Sequence, residues 1–244
     1  MANITVTTAL LNGDENIFKT AESVIPQLGE QARWLIKYSE AAVPEGLKSL
    51  LSSENISFVA QKDTHLYQGL NQALQSVETS HFFVIGSGDT LEPNALSFLV
   101  KTLEENPSLS ALFFSARNAS NGSIALPRPV DLPQRMSCPH PGTIMRTELA
   151  LSLGGFDEKY EIASDYDLIS RYVQKFPNCA WGDQVITQYA VGGISYRRIL
   201  EAYMEEELIR TRVWKSPQED VCRRTAAFFV RILQGISPPA SNMP

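Results

Sequence analysis

Short apolar runs alternate with helix-spaced apolar positions through the first sixty residues. The runs have the length and the Val, Ile and Thr content of β-strands, and intervals of three and four residues between apolar positions indicate helices. The predicted strands are 4–10, 34–37 and 56–60. The predicted helices run through Ala21, Val24 and Ile25 and over 47–51. This alternation predicts an α/β fold with a mainly parallel sheet and right-handed crossovers.

The stretch from 63 to 91 continues the pattern and ends in a polar turn. A helix is predicted by apolar residues that share one face, namely Leu66, Leu70, Ala73, Leu74 and Val77. Asp63 stands where an N-cap is wanted. The unbroken apolar run 82–85 predicts a strand that is buried on both faces. After the break at 86–88, Asp89 follows the carboxyl end of that strand, where open α/β sheets bind ligands.

The second half of the chain is predicted to continue the sheet and to end in helices. We expect residues 117–136, rich in Asn, Ser, Gly and Pro, to cross the surface. The predicted helices are 91–103, 146–153, 165–175, 196–214 and 217–233, and the further strands are 111–116 and 185–189, with 143–145 a segment between them. The expected organisation is a main domain over 1–194, C-terminal helices over 195–236 packed on it, and a disordered tail over 237–244.

Composition narrows the class of protein. The net charge of −6 argues against nucleic acid as the main partner. The three cysteines are far apart and show neither a disulfide framework nor zinc spacing, which favours a reducing cytoplasm. Neither a signal peptide nor an apolar run of about 20 residues is visible. We therefore expect a cytoplasmic protein.

Four motifs occur in a fixed order over about the first 200 residues. They are D-T-H-L-Y-Q-G-L-N at 63–71, I-G-S-G-D at 85–89, G-G-F-D-E at 154–158 and A-S-D-Y-D-L at 163–168. Together they resemble the family-2 inverting glycosyltransferases, which have the GT-A fold. The resemblance implies a nucleotide-sugar donor and a glycan or lipid-linked acceptor. It also implies transfer with inversion, in cell-surface polysaccharide biosynthesis.

The resemblance also implies which residues act on the acceptor. Asp165 matches the family's general base, which takes the proton of the attacking hydroxyl. It stands at a helix start, where the dipole stabilises negative charge; the alternative is a plain N-cap. Asp167 ranks second because it points elsewhere. His140, in C-P-H-P-G at 138–142, matches a histidine near the acceptor, with an ordinary loop residue as the alternative.

Asp89 matches the last acid of the family's metal motif and is assigned to Mn²⁺ or Mg²⁺. Oxygen ligands suit either ion. Ser87 replaces the first acid of that motif, while Ser87 and Gly88 keep a form, S-G-D, that some relatives share. The alternative for Asp89 is a turn or helix-capping aspartate.

The remaining candidates are assigned to the donor and its nucleotide. They are Thr8, Leu10 and Asn12 after the first strand, Tyr38 and Glu40 after the second, Asp63, Asn71, Ser87, Gly88, Arg197 and Arg198. Arginine's fork suits a diphosphate. The family's D-G-x-S acid is missing, so Tyr38 would stack on the base and Glu40 would replace the acid. Asn71 is slightly better explained as a satisfied polar group of its helix, and N-capping is an equal alternative for Asp63.

Two other classes of protein compete with an active transferase. A catalytically silent nucleotide-sugar-binding module is favoured by Ser87 and by the missing acid. A nucleotidyltransferase would carry a basic glycine-rich loop where 12–15 reads N-G-D-E, which counts against it. The arginines of the two C-terminal helices suggest peripheral association with the inner face of a membrane, although a solvated helix face explains them better.

Overall fold

The computed structural model describes residues 3–10, 14–39 and 53–234. The predicted helix over 47–51 and the predicted tail over 237–244 lie outside these ranges. Nine strands fall within the described residues: β1 (Ile4–Leu10), β2 (Ala32–Tyr38), β3 (Ile56–Ala60), β4 (His81–Val84), β5 (Thr90–Leu91), β6 (Ala111–Asn118), β7 (Ile124–Ala125), β8 (Thr143–Arg146) and β9 (Cys179–Tyr189).

The strands form one sheet in the order β3-β2-β1-β4-β8-β6-β9-β5, with β7 paired to β6. The first four strands are mutually parallel, as the alternation of short strands and helices predicted. β8 then pairs antiparallel with both β4 and β6, whereas β9 runs parallel to β6. The predicted α/β architecture, a central sheet flanked by helices, is confirmed.

Eight α-helices accompany this sheet in the described ranges. They are α1 (Ile17–Val24), α2 (Leu66–Gln75), α3 (Ala95–Glu105), α4 (Thr147–Ser152), α5 (Ser164–Lys175), α6 (Ile194–Arg197), α7 (Ile199–Arg212) and α8 (Gln218–Leu233). A 3₁₀ turn over Ile25–Gln27, with Pro26 in its first turn, ends α1. None of these helices has the length and hydropathy that a membrane span requires.

The alternation of side chains along β4 divides the hydrophobic core into two layers. Phe83 packs with α1 and α3 on one face of the sheet, while Phe82 and Val84 pack with α2, α4 and α5 on the other. Successive strand residues point to opposite faces, so the continuous apolar run serves both layers at once. All four residues of β4 are buried, which confirms the prediction of a strand covered on both sides.

Two local predictions are wrong. Helix α3 begins at Ala95 rather than at Leu91, because Thr90–Leu91 pairs with β9 as a short strand. Helix α2 is capped by His65, whose Nδ1 accepts a hydrogen bond from the Gln68 amide at 3.3 Å, and not by Asp63. The short strand depends on its pairing with β9, and Asp63 pairs with Lys37 instead of capping the helix, so tertiary partners decide both outcomes.

Candidate active site

A cleft of about 450 Å³ opens at the carboxyl ends of β1 and β4. Ala9, Ser87 and Asp89 line it from the sheet, and His140 and Asp165 line it from later segments of the chain. Two carboxylates separated by 76 positions in the sequence therefore reach one cavity. The parallel half of the sheet brings them together, because its strand ends and the helix α5 meet at this edge.

The turn after β4 is folded around the Asp89 carboxylate. Its Oδ2 accepts from the Gly86 amide at 2.7 Å and its Oδ1 from the Ala190 amide at 2.8 Å. Burial raises the pKa of Asp89 to about 6, against these two hydrogen bonds, which lower it. Gly88 sits at φ +91°, a conformation that favours glycine. Asp89 thus has the turn-forming role as well as a place in the cleft.

Asp165 is held in the first turn of α5. Its Oδ1 accepts from the Tyr166 amide at 2.8 Å, and the Tyr67 hydroxyl lies 3.2 Å away. The same hydroxyl is 2.6 Å from the carbonyl oxygen of Ile162, so its hydrogen serves two acceptors. Burial, followed by the charge of Asp165, raises the pKa of Tyr67 well above its ordinary value, which keeps it a donor. The N-cap of α5 is Ala163, so Asp165 is not the capping residue.

His140 approaches the other oxygen of Asp165. Its Nδ1 lies 3.6 Å from Oδ2, and its ring packs edge-on against Phe156. Burial lowers the pKa of His140, and the charge of Asp165 opposes that effect. Within the described residues, Nε2 is buried without a hydrogen-bond partner. His140 was predicted to lie near the acceptor, and the structure places it beside Asp165, the predicted general base.

Arg197 and Arg198 have different environments. Arg197 lines the cleft, and its Nε donates to the Gly192 carbonyl at 2.8 Å. Arg198 is not part of the lining and instead pairs with Glu161 and Glu201. Of the two arginines predicted to contact the diphosphate, Arg197 is therefore the one that lines the cleft.

Three predicted site residues hold the scaffold together away from the cleft lining. Asp63, with a side chain only 2% exposed, forms an ion pair with Lys37, which is fully buried. Asn71 bridges α2 to the G-G-F loop: its Oδ1 accepts from the Phe156 amide at 2.9 Å and its Nδ2 donates to the Phe156 carbonyl at 2.9 Å. Asn71 is thus a polar helix residue whose hydrogen bonds are made within the protein, the alternative that the sequence slightly favoured.

Asp167 is the third of these scaffold residues. It is fully buried, and Arg171 donates to its Oδ2 at 2.6 Å. Arg171 also donates to the carbonyls of Leu153 and Gly155, which ties α5 to the end of α4. The expectation that Asp167 lies on the acceptor side does not match this position, because its carboxylate points into the core.

Thr8, Leu10 and Tyr38, which were predicted to contact the nucleotide, also lie outside the lining. Thr8 is fully buried and accepts from Nε1 of Trp34 at 3.1 Å, and Leu10 is buried as well. Ala9 lines the cleft in their place, because alternate strand residues face opposite sides. Tyr38 packs edge-on against Phe58. Asn12 and Glu40 lie outside the described residues.

Asp14, Asn16, Tyr67 and Glu206 are among the polar lining residues that sequence reasoning missed. Asp14 and Asn16 stand in a polar loop directly after β1, which is a usable signal, and Asp14 Oδ1 accepts from the Asn16 amide at 3.0 Å. Tyr67 reads as an ordinary helix position. Glu206 belongs to a C-terminal helix, and no local sequence pattern predicts that this helix reaches the cleft.

The cleft offers few side chains that could bind a divalent cation. Across the described part of the chain, no three His, Cys, Asp or Glu side chains are grouped to hold a metal ion. Asp89 supplies one carboxylate, and Ser87 Oγ beside it is buried without a hydrogen-bond partner in the described ranges. Mg²⁺ commonly binds through one or two carboxylates together with substrate phosphates. These residues fit a cation that the substrate helps to hold rather than a complete protein cage.

The charge of the lining also favours a cation that binds together with the substrate. Asp14, Asp89, Asp165 and Glu206 are acidic, and Arg197 is the one lysine or arginine among the described lining residues. Such a cleft repels a diphosphate unless additional positive charge accompanies it.

This sheet and cleft define the fold of the GT-A-like glycosyltransferases. The chain is similar to several solved structures with that fold. The chain superposes on S. aureus TarS 1-349 in complex with UDP with a TM-score of 0.66 at 14% identity, covering 86% of this chain and 64% of that one. A mannosyltransferase from Pyrobaculum calidifontis in complex with GDP-Man and Mn²⁺ gives a TM-score of 0.65 at 15% identity, with 88% and 65% covered.

Glucosyl-3-phosphoglycerate synthase from Mycobacterium tuberculosis, in complex with Mn²⁺, UDP-glucose and phosphoglyceric acid, gives a TM-score of 0.60 at 12% identity. That match covers 89% of this chain and 81% of the synthase. The chain spans 39% of a longer TarS structure. No protein-family model and no curated protein sequence matches the chain. At these identities the comparisons establish the fold.

Proposed function

We propose that the chain is a glycosyltransferase that moves a sugar from a nucleotide-sugar donor to a glycan or lipid-linked acceptor with inversion. The observation that carries the proposal is the convergence of Asp89 and Asp165 on one cleft of about 450 Å³. Known structures with this fold hold UDP, GDP-mannose or UDP-glucose. The fold alone does not assign the reaction, so the proposal depends on the residues of the site.

Asp165 acts as the general base. An acceptor hydroxyl placed against its carboxylate gives up its proton to Asp165 as the hydroxyl oxygen attacks the anomeric carbon. The bond from that carbon to the diphosphate oxygen breaks at the same time, and the electron pair leaves with the nucleoside diphosphate. A single displacement inverts the anomeric configuration. Tyr67 and the Tyr166 amide hold the carboxylate in one orientation for this attack.

The donor diphosphate is proposed to lie beside Ser87 and Asp89, with Arg197 reaching the phosphate oxygens. Mn²⁺ or Mg²⁺ held there would supply positive charge against the developing charge of the leaving group. Ser87 Oγ is free within the described residues to contact the cation or a phosphate oxygen. His140, close to Asp165, is proposed to contact the acceptor.

A silent nucleotide-sugar-binding module is the second candidate. It is favoured by the position of Asp63, the family's donor acid, which is committed to Lys37 outside the cleft lining. The two candidates share the fold and differ in turnover.

Release of nucleoside diphosphate from UDP-, GDP- and dTDP-sugars, with and without Mn²⁺, separates the two. Turnover that requires the cation supports the transferase, and its loss in Asp165→Asn supports the assigned base. Calorimetric binding without turnover across a broad acceptor panel would favour the silent module. Full activity of Asp165→Asn would refute the base assignment.

The proposed setting is the cytoplasm, in cell-surface polysaccharide synthesis, with peripheral contact at the inner face of the membrane. The exposed Phe229, Val230 and Leu233 near the end of α8 support the membrane contact. Arg224 of that helix is already paired with Glu207, which limits the charge available to anionic lipid. Flotation with anionic liposomes at low and high salt tests this part of the proposal.

A further inference from the structure

The loop that leads into α5 is folded around a carboxylate from the C-terminal helix α7. Glu205 accepts from three consecutive backbone amides: Glu161 and Ile162 at 2.9 Å each, and Ala163 at 2.8 Å. Successive amides that converge in this way form a nest, a concavity that binds anions. Here the protein fills the nest with its own side chain.

The nest is directly attached to the proposed base. Ile162 and Ala163 line the cleft, and Asp165 follows two positions later. The Ile162 carbonyl shares the Tyr67 hydroxyl with Asp165. A change in the path of the backbone at 162 therefore moves both the Tyr67 contact and the start of the helix that carries Asp165.

Two ion pairs also join this loop to Arg198, which directly precedes α7, and to Arg212, which ends it. Arg198 reaches Glu161 with both side chains about a third or more exposed, and Arg212 reaches Asp157 while half exposed. Exposed ion pairs of this kind stabilise weakly. Glu205 differs from them because its partners are three consecutive backbone amides rather than an exposed side chain.

We propose that Glu205 is a positioning residue for the transfer reaction, and that it fixes the orientation of the Asp165 carboxylate by organising the 161–163 nest. This inference rests on the proposed function, since it assigns Asp165 the role of base. It also gives α7 a part in the active site that the division at residue 194 does not anticipate.

The first test is kinetic and uses Glu205→Ala, Glu205→Gln and the control Glu201→Ala. Glu201 stands one turn earlier on α7 and pairs with Arg198 at the surface. We expect Glu205→Ala to lower kcat about 10- to 100-fold, as a small misplacement of a reacting group does, with the donor KM within about threefold of wild type. Glu205→Gln, which keeps one acceptor oxygen, should fall between, and Glu201→Ala should match the wild type.

A double-mutant comparison separates positioning from general damage. If Glu205 acts through Asp165, adding Glu205→Ala to Asp165→Asn should change kcat by less than about twofold. An additive loss, or a wild-type kcat in Glu205→Ala, would overturn the inference. A wild-type kcat in Asp165→Asn alone would instead refute the base assignment on which the proposed function depends, so the two failures are distinguishable.

A second test needs no turnover. Hydrogen exchange of the amides at 161–163 should be at least about tenfold faster in Glu205→Ala than in wild type or Glu201→Ala, because these amides lose their acceptor. Global unfolding is followed in parallel by denaturant titration. Unchanged protection at 161–163 in a folded Glu205→Ala would contradict the nest, whatever the activity assays show.

Discussion

Asp165 and Asp167 lie two positions apart on α5 and should respond to substitution in opposite ways. Asp165 faces the cleft, while Asp167 is fully buried against Arg171. We expect Asp165→Asn to lower kcat about 10²- to 10⁴-fold, the usual contribution of general acid–base catalysis, with little change in stability. Asp167→Ala should reduce stability while the folded protein keeps its kcat.

The size of the stability loss follows from the burial of the pair. Removing one partner of a buried ion pair costs about 3–5 kcal/mol. Arg171 is 20% exposed and keeps its bonds to the carbonyls of Leu153 and Gly155. The expected loss for Asp167→Ala is therefore about 2–4 kcal/mol, toward the range of a hydrogen bond to a charged group.

Denaturant unfolding and steady-state kinetics, measured on the same preparations, check this contrast. For a domain of this size, about 2–4 kcal/mol lowers the melting temperature by roughly 4–16 °C. Kinetics are therefore run well below the melting temperature of the weaker variant. A loss of kcat in fully folded Asp167→Ala, or a loss of stability in Asp165→Asn with normal kcat, would refute the division of roles.

Two further predictions concern stability. Asp63→Ala leaves Lys37 buried without its partner and should lower the free energy of unfolding by about 3–5 kcal/mol in denaturant titration. The apolar double variant Asp63→Leu with Lys37→Met should recover most of that loss. An unchanged free energy of unfolding in Asp63→Ala would contradict the buried pair. Burial, together with the charge of Arg146, lowers the pKa of His81 to about 4 from 6.5. The unfolded chain then binds more protons between these values, so stability should fall by about 3 kcal/mol as pH drops from about 6.5 to 4, and His81→Leu should flatten this dependence.

The pattern of the chain predicts those parts of the fold that depend on local periodicity. The unbroken apolar run at 82–85 sets β4 in the middle of the sheet, and β1 and β3 have the predicted bounds. The strand Thr90–Leu91 could not be predicted, because it exists through its pairing with β9, which lies almost a hundred residues later. Antiparallel entry of β8 between β4 and β6 likewise depends on tertiary contacts.

The site was predictable where a residue follows a strand or begins a helix. Asp89 and Asp165 are of this kind, and both reach the cleft. Thr8 was misplaced because a shift of one position along a strand turns a side chain to the other face, and Ala9 takes the lining position. Asp63 was misplaced because it pairs with Lys37, which lies on β2. Sequence spacing does not reveal a contact between residues so far apart along the chain.

In the proposed reaction, one cleft holds the donor at Asp89 and the acceptor at Asp165. The most direct test is a crystal structure with Mn²⁺ and whichever UDP- or GDP-sugar binds by calorimetry. We expect the diphosphate to lie beside Ser87 and Asp89, with the anomeric carbon facing the Asp165 carboxylate. A nucleotide bound away from this cleft, or a sugar turned away from Asp165, would contradict it.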